Sequence, residues 1–359
     1  MKIALLGDIA LIGKYDLTKN AKAKQGLEKI SNFLKSYDYV IGNLETPLTD
    51  RTRTLVPKSM HLKSPLKNIE LLKYLNISAV SLANNHIYDY GRKAVEDTIK
   101  ILRDNNIEYV GIDGRSITLD KIEINGYCCY STNAFGYNNR DKKGVNTLTY
   151  NRILNQTEKD KNSNKLSLFS IHWGDEHTNY PRFDHLKLAR ELTEKNNIII
   201  NGHHPHVIQG VEKVNDSVIA YSQGNFCFDD CKAISGTGLE LKQVEANRES
   251  FILEVEIEGN KIINYNNIGI KEINNEIILD SIKEKLNMIS SKLKNISDIV
   301  RYQQERIMQI KNPEFRVKKF GEKNLKWYLK RLNYFPIGAY IFGKINKKRY
   351  NEVLSSYLN

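Results

Sequence analysis

Residues 198–206 read IIINGHHPH. Three β-branched residues in succession favour a strand buried on both faces. The run then stops at residues that bind metals: imidazole is the commonest metal ligand among side chains. The same pattern recurs in IALLGD (3–8), VIGNLE (40–45), AVSLANNH (79–86) and LFSIHW (168–173). Each is an apolar run that ends abruptly in a carboxylate, an amide or an imidazole. Any one of them reads equally well as a helix cap, a turn residue or a satisfied core histidine. Five at successive strand ends do not.

Helix-like stretches separate these runs, so the first 230 or so residues have the alternation of an α/β sandwich or doubly wound sheet. Strands are expected over 1–6, 39–41, 79–82, 108–110, 122–124, 128–130, 166–171 and 198–200. Helices are expected over 21–36, 65–76, 91–106, from about Tyr150, and over 183–196. Segments 207–214 and 218–221 form a hairpin across Asn215-Asp216, and 251–270 forms a second one around Gly259-Asn260. In such a fold ligands bind outside the carboxyl ends of the strands. That edge would gather Asp8, Asn43, Glu45, Asn85, His86, His172, His204 and His206.

The donor set decides the chemistry. It mixes carboxylate, amide oxygen and imidazole and lacks the thiolates of most structural zinc sites. It predicts a hydrolytic centre holding one or two divalent ions, manganese, iron or zinc. A pair of ions about 3.5–4 Å apart would clamp a phosphate and activate a bridging water. Asn85 is placed as a ligand, and His86 as the acid that protonates the leaving oxygen.

The motifs GDIAL, GNLETPLT, SLANNHIYDYG, HWGDEH, GHHPHVIQGVE and AYSQGNFCFD, taken in this order, resemble those of the poly-γ-glutamate capsule-synthesis protein (CapA) family. That family is a branch of the calcineurin-like metallophosphoesterase superfamily, and the likeness covers roughly residues 1–230. It implies a four-layer α/β/β/α sandwich and a bacterial phosphoesterase-type hydrolase of capsule or surface-polymer biosynthesis, the polymer being poly-γ-glutamate or polysaccharide. The alternative it leaves is a non-catalytic, polymer-binding scaffold of a membrane synthase. By resemblance Asp8 is the first metal aspartate, and Asn43 and Glu45 fall on the motif that supplies the bridging carboxylate. Asn85 is the amide ligand, His86 the catalytic histidine, and His172, His204 and His206 the metal histidines. Asp89 would orient His86, and His203 and Glu176 would stand behind the ligands. Two positions depart from the superfamily: Ala10 replaces a histidine, and Asn43 an aspartate. Lys58, His61 and Lys63 lie in what reads as an exposed loop, where they would meet an anionic substrate.

From residue 275 the pattern changes. Ile282, Leu286, Ile289, Leu293, Ile296 and Val300 recur at steps of four and three, continuing to Ile307 and Ile310. That is a heptad-like seam on one long helix over 282–310, ended by Pro313. It would pack on the α/β body or join a second copy as a homo-oligomer. The expected division is 1–274 for the α/β domain and 275–359 for a basic helical region.

Charge follows the same division. Residues 280–359 hold 18 lysines and arginines against 7 acids, a surplus of 11 in a chain whose net charge is +12. Within them 325–350 (LKWYLKRLNYFPIGAYIFGKINKKRY) interleaves aromatic residues with Lys326, Lys330, Arg331, Lys344, Lys347, Lys348 and Arg349. That mixture suits a bilayer interface or a membrane synthase. Nucleic acid is not expected, because no recognition motif accompanies the charge. Asp8 interrupts the first apolar run before it reaches signal-peptide length, and no apolar segment attains about 18 residues. The expectation is a cytoplasmic protein with peripheral contact at the inner membrane face. The cysteines, Cys128, Cys129, Cys227 and Cys231, are expected as reduced thiols rather than disulfides.

Overall fold

The computed structural model of the protein describes residues 1–138, 143–233, 240–294 and 296–358, without the side chains of 319, 326 and 358. Lys326 therefore lies outside the described side chains. In the first sheet β1 (Lys2–Ile9), β2 (Tyr39–Leu44), β3 (Ala79–Ser81) and β4 (Glu108–Val110) run parallel. The second sheet holds β5 (Ile117–Leu119), β6 (Ile122–Cys128), β7 (Leu166–His172), β8 (Ile198–His203), β9 (Val211–Val214) and β10 (Ser217–Ala220), in the order β5-β6-β7-β8-β10-β9. β11 (Asn225–Cys227) returns to pair with the end of β1. A short ribbon, β12 (Cys231–Lys232) with β13 (Glu240–Leu241), follows. The antiparallel meander β14 (Glu249–Glu258), β15 (Lys261–Ile273) and β16 (Glu276–Leu279) then completes the first sheet as β16-β15-β14-β1-β2-β3-β4.

Period-two alternation stacks the sheets. Along β1, Ile3 and Leu5 enter the core between the sheets, with Leu168, Ile199 and Phe251. Ala4 and Leu6 face the other way, toward α1 (Glu28–Leu34), α2 (Ile69–Tyr74) and α3 (Arg92–Asp104). The outer face of the second sheet is covered by α4 (Tyr150–Asn162) and α5 (Phe183–Lys195), around Phe169, Trp173 and Leu188. Each fully buried aliphatic or aromatic side chain contributes about 1.5–3 kcal/mol relative to exposure. The result is the expected α/β/β/α sandwich.

Three expectations change. The strands expected at 122–124 and 128–130 are one strand, β6, followed by a 3-10 turn at Tyr130–Thr132. The amphipathic stretch 21–36 is α-helical only from Glu28; turns and a 3-10 segment precede it. The single long helix over 282–310 is two helices, α6 (Lys283–Lys294) and α7 (Ile299–Lys311). Asp298 caps the second, its carboxylate accepting from Arg301 N at 3.0 Å, a favoured N-cap arrangement. The new start rotates the buried face. Leu286, Ile289 and Leu293 pack on the body, whereas Val300 and Ile307 are exposed and Tyr302 and Arg306 are buried instead. The seam is thus interrupted between α6 and α7.

The sheet also continues past residue 274, since β16 pairs with β15. Beyond α7 come α8 (Pro313–Phe320), α9 (Leu325–Leu329) and α10 (Tyr334–Tyr350). α10 lies back on the body through one face. Phe342 packs on Phe135 at 4.4 Å between ring centroids, Asn346 donates to Asn133 Oδ1 at 2.9 Å, and Tyr350 is buried. Among the described residues no helix is long and apolar enough to cross a membrane. All four cysteines are buried and none is in a disulfide.

Candidate metal centre

The parallel strands of both sheets deliver their carboxyl ends to one edge. Asp8 comes from β1, Asn43 from β2, His172 from β7 and His203 from β8, and all four are buried. Gly202 permits the convergence at β8: a Cβ there would fall 2.0 Å from Tyr221 O. His204 and His206 follow in left-handed backbone conformations, φ 98° and 58°. For residues other than glycine each such conformation costs on the order of 1–3 kcal/mol and tends to persist at functional sites.

The carboxylates and imidazoles form three overlapping trios: Glu45, His172 and His204; Asp8, Glu45 and His206; and Glu176, His204 and His206. Within each trio the ligand atoms lie within 4.8 Å of one another. His206 Nδ1 is 3.5 Å from Asp8 Oδ2, His206 Nε2 is 3.7 Å from Glu45 Oε1, and His172 Nε2 is 3.8 Å from the same oxygen. Ligands bound at about 2.1 Å stand roughly 3–3.5 Å apart around a single ion, so small side-chain movements would close the cage.

Glu45 tests whether a cation fits. It has no exposed surface, and among the described residues neither of its carboxylate oxygens has a hydrogen-bond partner. Burial, then the neighbouring Asp8 and Glu176 carboxylates, push its pKa well above the usual range. A buried carboxylate is expected to be paired or metal-bound. The donors present suit a divalent ion, which Asp8, Glu45, His172, His204 and His206 would hold.

The two amides behave differently. Asn85 Oδ1 faces His172 Nε2 at 3.1 Å, inside the cluster. Asn43 turns its NH2 inward, donating to Asp8 Oδ1 at 2.8 Å, while its own Oδ1 accepts from Asn84 at 3.2 Å. Asn43, expected among the ligands, is oriented here as a hydrogen-bond donor to one. At Ala10 the missing imidazole is replaced by apolar packing with Met60, Leu62 and Phe228.

His86 and Asp89 form a pair. His86 Nδ1 lies 2.6 Å from Asp89 Oδ2, which also accepts from Leu62 N at 2.7 Å. Lys58 was expected in an exposed loop with His61 and Lys63. It is instead buried beneath the pair, donating to Asp89 Oδ1 and to Asn85 O, each at 2.6 Å. His61 is also buried, with Nε2 2.7 Å from Val56 O, and Lys63 contacts Arg51 O. Burial opposes ionisation of Asp89, but Lys58 and His86 outweigh it and hold its carboxyl below the usual range. Burial and then Lys58 push the His86 pKa down, against the pull of Asp89. His86 faces a cavity of about 190 Å³ that Lys58, Asn85, Glu176 and His206 also line.

Several site residues were not among the expected ligands or catalytic groups. His203 Nδ1 is 3.2 Å from Asp8 Oδ1. Glu176 joins His204 and His206 in a trio. Asn225 Oδ1 lies 2.9 Å from His206 Nδ1. His203 and Glu176 stood beside motif residues, so proximity in sequence was their signal. Lys58 was expected to meet an anionic substrate from an exposed loop; its burial had no signal, because an isolated lysine in a loop does not reveal it.

The family model described as bacterial capsule synthesis protein PGA_cap matches residues 2–230. The capsule biosynthesis protein CapA of Bacillus anthracis is 30% identical over 247 residues, covering 64% of this chain and 60% of that protein. The PGA biosynthesis protein CapA of Bacillus subtilis (strain 168) is 29% identical over 244 residues, covering 64% of this chain and 63% of that one. The matched region thus spans about three-fifths of each of these relatives. Among solved structures, TT1561 of Thermus thermophilus aligns with TM-score 0.40 and 9% identity, over 74% of this chain and 98% of that one.

Proposed function

The chain belongs to the bacterial capsule synthesis protein family PGA_cap, and on that premise we propose that it is a metal-dependent phosphoester hydrolase of capsule or surface-polymer biosynthesis. The observation that carries the reading is Glu45, a fully buried carboxylate without a hydrogen-bond partner among the described residues, surrounded by histidines. A bound divalent ion would supply charge for a phosphoryl oxygen and lower the pKa of a coordinated water. Asp8, Glu45, His172, His204 and His206 would hold it, with Asn85 beside His172. Asp89, held by Lys58, orients His86 so that its Nε2 is directed to the substrate, where it exchanges a proton with the leaving oxygen. Lys58 keeps Asp89 ionised, and the His86 ring is thereby fixed in one tautomer.

The test is metal content measured together with hydrolysis of a phosphomonoester and a phosphodiester. His204→Ala with His206→Ala is expected to lose bound metal and remain folded. His86→Asn is expected to retain metal and lose about 10²–10⁴ in rate, the usual worth of a general acid. Equal metal in wild type and the double variant ends the metal assignment.

A second reading rests on Asn43. With an amide NH2 directed at Asp8, where the resemblance leads one to seek a bridging carboxylate, the fold would serve as a polymer-binding scaffold of a synthase. Bound metal without hydrolysis over a broad phosphoester panel would favour it.

A further inference from the structure

The first ten residues of α10, 334–343, are apolar on both sides. The inner face of the helix is Phe335, Ala339, Phe342, Asn346 and Tyr350, spaced by three and four residues, and it packs on the body as described. Tyr334, Ile337, Tyr340 and Ile341 lie on the outward side, with Ile345 at its flank, and all five are exposed. Further apolar residues are exposed outside the helix. Leu55, Leu325 and Leu332 are 84%, 74% and 73% exposed, and Tyr334 Oη donates to Leu55 O at 2.9 Å, which joins the loop to the helix. A helix hydrophobic all round is normally covered on every side, and an exposed apolar tract of this extent marks an interaction surface.

Charge identifies the cover. Residues 323–351 contain eight lysines and arginines and no aspartate or glutamate. Lys344 and Lys348 follow Ile341 and Ile345 by one helical turn on the outward side, and both are exposed. A second copy of the same surface would meet it with like charge. A soluble polyanion would engage the cations and leave the leucines and isoleucines in water. An anionic bilayer satisfies both, since aliphatic side chains enter the acyl boundary while lysines remain among the headgroups.

We infer that the outward face of α10, together with Leu55 beside it and the exposed Leu325 and Leu332, docks the protein on an anionic lipid surface. The helix is about 25 Å long at 1.5 Å per residue. It lies in the interface and does not span it. Its other face supplies Ala339 to the wall of the metal cavity, so the docking helix also borders that cavity. The inference stands on this surface alone and survives if the hydrolase reading fails.

The experiment is co-sedimentation of the full chain with phosphatidylcholine vesicles, with and without phosphatidylglycerol. Binding is expected only with phosphatidylglycerol and should weaken steeply with salt. Lys344→Gln with Lys348→Gln should reduce affinity about 25-fold, from roughly fivefold per cation. Ile337→Asp with Ile341→Asp should abolish binding while the unfolding midpoint stays unchanged. Leu325→Asp with Leu332→Asp provides the same loss on a separate element if the first pair disturbs folding. Three results would each overturn the inference: no binding of wild type to anionic vesicles, equal binding by folded aspartate variants, or a stable dimer that those variants dissociate in place of vesicle binding.

Discussion

Lys58 Nζ lies 2.6 Å from Asp89 Oδ1, and both groups are buried beneath His86. The lysine completes a hydrogen-bonded chain from loop to carboxylate to imidazole, and its Nζ also lies 3.1 Å from His86 Nδ1, so it acts on the site through Asp89 and His86. Removing one partner of a buried pair leaves the other uncompensated, which costs about 3–5 kcal/mol. Lys58→Met should therefore raise the Asp89 pKa and let the His86 ring turn. We expect kcat to fall about 10–100-fold, the scale found for groups that orient a functional imidazole, with bound metal unchanged. The pH–rate profile should shift as well, which simple loss of stability would not produce. An unaltered profile and rate in a folded Lys58→Met protein would remove the lysine from the mechanism.

Glu45→Gln separates the cost of the buried charge from its use. The Glu45 pKa is raised above its unfolded value. The corresponding stability is thus present at low pH and is lost as pH rises through the folded pKa. In chelated protein, wild type should lose stability between acid and neutral pH relative to Glu45→Gln. Adding the metal should reverse the order, because an ion that binds only the folded state stabilises by RT ln(1 + [L]/Kd). Melting temperatures with and without chelator are the measurement. An equal response to chelator in both proteins would contradict the assignment.

His185 provides a pH effect away from the centre. Its ring stacks on Trp173 at 4.7 Å between centroids, and burial pushes its pKa down to about 4 against the pull of Asp184. A depressed histidine contributes stability above its unfolded pKa, near 6.5, which is lost as pH falls toward 4. Between pH 7 and pH 5 the loss is roughly 2 kcal/mol for a shift of this size. Urea titrations at the two pH values should show His185→Gln with a smaller difference than wild type. Equal differences would mean that His185 titrates normally in the folded protein.

The sandwich was legible because its signals are local. Runs such as IALLGD and IIINGHHPH end abruptly in chemistry, and parallel strands carry those ends to one edge. The break within 282–310 was not legible, since a seam such as Leu286–Ile289–Leu293–Val300 keeps its spacing through a non-helical interruption. Only the Asp298 cap, and the burial of Tyr302 and Arg306 in place of Val300, reveal the rotation. The orientation of Asn43 and the burial of Lys58 likewise depend on tertiary partners distant in sequence, Asp8 and Asp89.

Two glycines of α10 should respond in opposite directions to the same substitution. In a helix interior alanine is favoured over glycine by about 1 kcal/mol. At Gly343 the nearest group to an added Cβ is Asn133 Nδ2 at 3.8 Å, an ordinary contact, so Gly343→Ala should gain most of that amount. At Gly338 the added Cβ would fall 2.3 Å from Pro57 Cβ, and a proline ring cannot rotate away. Overpacking of this kind costs about 1–3 kcal/mol, which exceeds the propensity gain. Gly338→Ala should be net destabilising and should move α10 off the loop that carries Lys58, lowering hydrolysis along with stability. Urea unfolding of the two variants decides the point: stabilisation by Gly338→Ala equal to that of Gly343→Ala would show that α10 does not bear on Pro57 in solution.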